Sequence, residues 1–102
     1  MKRIPKSFQL GGHTFQVKLV EDEEEMMEIT GVPAYGVFIP DRLTIYLLPV
    51  SKTLKKSVVI QTFWHEWSHA LLWTLGHKDW TNEKVVDQMG HLVKQFNDTA
   101  TF

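Results

Sequence analysis

The chain contains no cysteine, which removes disulfides and thiolate metal ligands together. A fold of this kind must hold itself by apolar burial, and any metal it carries must sit on imidazole and carboxylate groups. Proline and glycine are sparse, four and six residues, so there is no Pro- or Gly-rich linker on which a second domain could be tethered. Nowhere do about 18 apolar residues run together, and the basic start at Met1, Lys2 and Arg3 leads into no apolar stretch. A soluble, cytoplasmic protein with no membrane partner is expected. An excess of charge is missing too: the net value is −1, without the basic surplus that autonomous nucleic-acid binders carry, so no nucleic acid is expected as a partner.

What is present is enough for one core. With 102 residues, 43% of them hydrophobic, and four Trp, two Tyr and six Phe, residues 1–102 read as a single domain with an aromatic-rich interior. Phe15, Val17 and Leu19 alternate with polar neighbours after Gly11 and Gly12, a hairpin signal over residues 7–20. The acidic run from Glu21 to Glu28 predicts a solvated loop or a short exposed helix, ended by Gly31 and Pro33. Residues 35–39 and 43–48 are rich in β-branched and aromatic side chains around Pro40, Asp41 and Arg42, which predicts a second hairpin.

From about residue 52 to 75 there is no Gly or Pro, and Gly76 follows, so one long helix is expected. Thr81 or Asn82 can cap a further helix to about residue 97, with Val85, Val86, Met89, Leu92, Val93 and Phe96 at helical spacing. Gly90 inside it costs about 1 kcal/mol relative to Ala and points to a close backbone approach, toward the long helix. The fold class that results is α+β: a small antiparallel sheet of two N-terminal hairpins packed on a long helix and a second, C-terminal helix.

The chemistry gathers on the long helix. In His65-Glu66-Trp67-Ser68-His69 the imidazoles are four residues apart, one turn along a single face, and both can bind one metal ion. Glu66 lies beside them, able to reach a water on that metal without ligating it. A catalytic zinc takes three protein ligands and keeps one position open. Glu83 is the leading candidate for the third, and Asp87, one turn on, can orient a ligand imidazole through its far nitrogen.

His65-Glu66-x-x-His69 followed by Asn82-Glu83-x-x-x-Asp87 resembles the gluzincin branch of the zincin metallopeptidases. The resemblance implies one Zn2+ on His65, His69 and Glu83, Asp87 hydrogen-bonded to a ligand histidine, and peptide-bond hydrolysis with Glu66 as general base. Only 13 residues separate His69 from Glu83, so the chain is most similar to the minimal gluzincins of phages and prokaryotes. An aspzincin arrangement, with Asp87 as the ligand, stays open. A metzincin is disfavoured, because Leu72 and Leu75 stand where that pattern needs Gly and His.

The expected partner is a peptide or protein substrate, with the strand at residues 43–48 lying along the cleft and pairing with its backbone. Tyr35, Tyr46, His77 and His91 are the candidates for oxyanion or substrate contacts. The rival function is a catalytically silent, metal-stabilised module that binds a host or partner protein. A third is a SprT-like DNA-associated protease, disfavoured by the neutral charge. Oligomeric state is not written in the sequence.

Overall fold

The computed structural model describes residues 3–102. Four strands, β1 (Ser7–Leu10), β2 (His13–Leu19), β3 (Gly36–Ile39) and β4 (Thr44–Leu47), form one sheet in the order β1-β2-β4-β3. Helices α1 (Glu23–Thr30), α2 (Lys56–Thr74) and α3 (Glu83–Thr99) complete the α+β domain.

Both hairpins form as their sequences demand. Leu10 pairs with His13 across Gly11 and Gly12, whose φ values of 57° and 85° supply the two left-handed positions that a tight hairpin turn needs. The second hairpin turns through a 3₁₀ segment at Pro40–Arg42. The expectation of a purely antiparallel sheet is corrected. The two hairpins are joined by a parallel pairing, Gln16 opposite Thr44 through Leu19 opposite Leu47, which makes the sheet mixed. The reason lies in β4, whose Thr44, Ile45 and Leu47 are all buried, so that the strand belongs at the centre with a neighbour on each side. The link from β2 to β4 passes through α1 and β3, long enough for a parallel return.

The acidic run becomes α1. Asp22 caps it by accepting from the Glu25 N–H at 2.9 Å, Glu25 accepts in turn from the Glu21 N–H, and Gly31 closes it at φ 78°. Three of its four carboxylates, Glu23, Glu24 and Glu25, sit in the first turn, where the helix dipole favours them. Met26 is buried against Val20, Leu48, Leu54 and Val59.

The long helix starts at Lys56, later than residue 52, because Ser51 and Thr53 spend their polar groups on a local turn. Ser51 and Leu54 bond each other's backbone, and the Thr53 N–H is donated to Ser51 Oγ. One face of α2 covers the sheet. Phe63, Trp64 and Ala70 meet Phe15, Phe38, Ile45 and Leu47 in the main core, with Trp67 and Trp73 at its margin. At Gly36 a Cβ would stand 2.6 Å from Thr62 Cγ2, so only glycine lets β3 lie this close to the helix.

Candidate metal centre

Asn82 fixes the start of α3 by accepting from the N–H groups of Lys84 and Val85. Glu83 is therefore the first residue of that helix. Gly90 lets α3 press on α2: its missing Cβ would stand 3.0 Å from both N and Cα of His65. These two features bring the start of α3 over the face of α2 that carries the histidines.

Glu83 spans both rings. Its Oε2 lies 2.9 Å from His65 Nε2 and its Oε1 lies 3.1 Å from His69 Nε2. Ligand atoms of His65, His69 and Glu83 all fall within 4.8 Å of one another, and this group could hold a metal ion. The other ring nitrogen of each histidine is engaged. Nδ1 of His65 faces Asp87 Oδ1 at 3.3 Å, and Nδ1 of His69 faces the Trp80 carbonyl at 2.6 Å. With its Nδ1 donating, a neutral imidazole at either position would carry its lone pair on Nε2, the atom that each ring turns toward the group and the one metal ligation needs.

Glu66 stands apart from the donors. Its Oε2 is 4.0 Å from His65 Nε2, and the side chain is buried. Burial pushes its carboxyl above the usual carboxylate range. Glu83 adds to that rise, while the imidazoles of His69 and His65 and a hydrogen bond from the Phe38 backbone oppose it.

Open space flanks the group on two sides. One cavity of about 480 Å3 runs from His65 and Glu66 past Gln61 and Thr62 to Tyr35 and Lys94. Another of about 420 Å3 lies between β3 and Trp80, bordered by Glu66, His69 and Glu83. The strand beside both is β3, at the sheet edge. This corrects the expectation for residues 43–48: β4 is paired on both sides, so no peptide can add to it.

Of the four residues considered for oxyanion or substrate contacts, only Tyr35 borders a cavity of the centre. Tyr46 is held by Arg42, whose Nη1 lies 3.1 Å from the Tyr46 hydroxyl. The His77 ring accepts from the Asp79 N–H and caps the 3₁₀ turn Lys78–Thr81. His91 Nε2 stands 3.5 Å from Asp87 Oδ2, on the carboxylate that serves His65. The Trp80 carbonyl was not foreseen, since a main-chain oxygen leaves no mark in a residue pattern. The one signal available was the shortness of the link between α2 and α3, which keeps that turn near His69.

Comparison of the chain with protein families, with curated proteins and with solved structures gives no match. Among the described residues no helix is long and apolar enough to cross a membrane.

Proposed function

We propose that this chain is a zinc-dependent peptidase, with His65, His69 and Glu83 holding one zinc ion and Glu66 acting as general base. The observation that carries the reading is the place of Glu66: a buried carboxylate outside the donor group, bordering the cavity on each side of it. The donor set suits zinc, which takes imidazole nitrogen and carboxylate oxygen, and three ligands leave a position open. When bound, the ion supplies a Lewis acid that polarises a carbonyl and acidifies water.

The chain's own residues do the rest. Glu66 takes the proton of the attacking water and hands it to the departing amine. Asp87 and the Trp80 carbonyl hold the two imidazoles in register. An extended peptide lies along edge strand β3, where main-chain pairing gives affinity with little dependence on sequence. Tyr35 is the side chain placed to reach that peptide.

The deciding comparison is between the zinc-loaded chain and Glu66→Gln. The variant is expected to keep about one zinc per chain and to lose hydrolysis of an unbiased peptide library. Equal cleavage by both proteins would remove the role given to Glu66.

A second reading, a metal-stabilised module that binds a protein without cutting it, has one observation in its favour. Leu92 and Phe96, one turn apart on α3, are 66% and 60% exposed. On that reading neither protein cleaves any peptide, and Glu66→Gln leaves partner binding unchanged.

A further inference from the structure

The larger cavity follows α2 away from the metal group, from His65 back through Gln61 to Ser57, with Tyr35 and Lys94 along its border. Its acids stand at the metal end. Asp87 is turned to His65 and His91, and Glu66 receives the Phe38 N–H. Beyond them, the only lysine or arginine among the described residues bordering the cavity is Lys94, two turns after Asp87 on α3.

Lys94 donates to Asp98 Oδ2 at 2.6 Å, which holds the ammonium in place while leaving it further N–H groups to give. Gln61 borders the same cavity, and its side-chain nitrogen is buried with no partner in the protein. A buried donor left unpaired is costly, so this amide gains by turning toward an acceptor brought into the space beside it. A fixed cation and an unpaired amide donor, one on each helix, make this stretch of the groove complementary to a carboxylate.

We infer that this arm takes a carboxylate-bearing part of the substrate, with Lys94 as the residue that selects it. The carboxylate is an acidic side chain or the free C-terminus of a peptide. The inference rests on the peptidase reading for its substrate but not for the site itself, which binding can test alone.

The zinc-loaded chain is offered peptide pairs that differ only by Glu against Gln at one position, and pairs that end in a free carboxylate or an amide. Turnover is read as kcat/KM, and binding is read by calorimetry on Glu66→Gln. The carboxylate member is expected to lead by roughly tenfold or more in one of the two series, which tells the two sources apart. Lys94→Met, which keeps the apolar stem, is expected to bring that ratio close to one, and Lys94→Arg to retain most of it. Equal handling of both members, a preference that survives Lys94→Met, or no binding of any peptide overturns the inference. Absence of turnover with Lys94-dependent binding intact would instead sink the peptidase reading and leave the carboxylate site standing.

Discussion

Nδ1 of His69 lies 2.6 Å from the main-chain carbonyl of Trp80, so the second motif imidazole takes its orientation from the short turn that follows α2. That turn is anchored twice, by the His77 ring on the Asp79 N–H and by Trp80 packing against the main core. Trp80→Ala should release the carbonyl and weaken zinc binding by roughly tenfold, as losing an outer-shell partner does. Trp80→Phe should preserve most of the affinity. Competition with a chromophoric chelator measures both, and wild-type affinity in Trp80→Ala would show that the backbone alone holds the turn.

Glu83 and Asp87 can be told apart by the size of their effects. Glu83 reaches Nε2 of both motif rings, whereas of those two rings Asp87 reaches only His65, at its Nδ1. Glu83→Ala should therefore abolish tight zinc binding, while Asp87→Asn should lower affinity by about 10- to 100-fold. The reverse order in a zinc titration would make Asp87 the ligand. Both carboxylates are more than half exposed, so neither variant should unfold the metal-free chain.

The sequence carries the metal group more fully than it carries the sheet. His65, Glu66 and His69 are fixed by a helical spacing, and Glu83 by Asn82, a capping residue whose side chain sets where α3 begins. Gly90 also speaks locally, since a mid-helix glycine without a turn to make implies a close neighbour. The parallel pairing of β2 with β4 is different in kind. It joins segments with α1 and β3 between them, and local alternation says which residues form strands but not which strands are neighbours. One sign was there: Leu43-Thr44-Ile45-Tyr46-Leu47-Leu48 is a nearly continuous apolar run, the pattern of a strand buried at the centre of a sheet. His77 and Tyr46 border neither cavity of the centre, because polar side chains near turns find local partners first, here Asp79 and Arg42.

Gly90→Ala tests the coupling between packing and the metal group. Alanine is the better helix former by about 1 kcal/mol, yet its Cβ would press on the His65 backbone at 3.0 Å and on the Trp64 carbonyl carbon at 3.3 Å. Backbone cannot turn aside as a side chain can, so α3 must move outward and take Glu83 with it. A net destabilisation of about 1–3 kcal/mol is expected, together with weaker zinc binding. Thermal melting of the metal-free chain reads the first effect and chelator competition reads the second. A higher Tm with unchanged zinc affinity would mean that the helices are free to separate at no cost.

Burial of Glu66 gives the metal-free protein a pH dependence whose sign is fixed. Its carboxyl is raised above the ordinary value of 4.5, chiefly by desolvation, so between the unfolded and the folded values the folded chain holds a proton that the unfolded chain has released. The stabilisation from the protonated form is complete below the unfolded value and is lost as pH rises through the folded one. Glutamine at this position has no proton to lose. Glu66→Gln should therefore melt progressively higher than the wild type, both in chelator, as pH is taken from about 4 toward neutrality. Bound metal should shrink the difference, because a cation beside Glu66 favours its ionised form. Parallel melting curves at all pH values would show that Glu66 is solvated in the metal-free protein, and would remove the buried carboxylate on which its part in proton transfer depends.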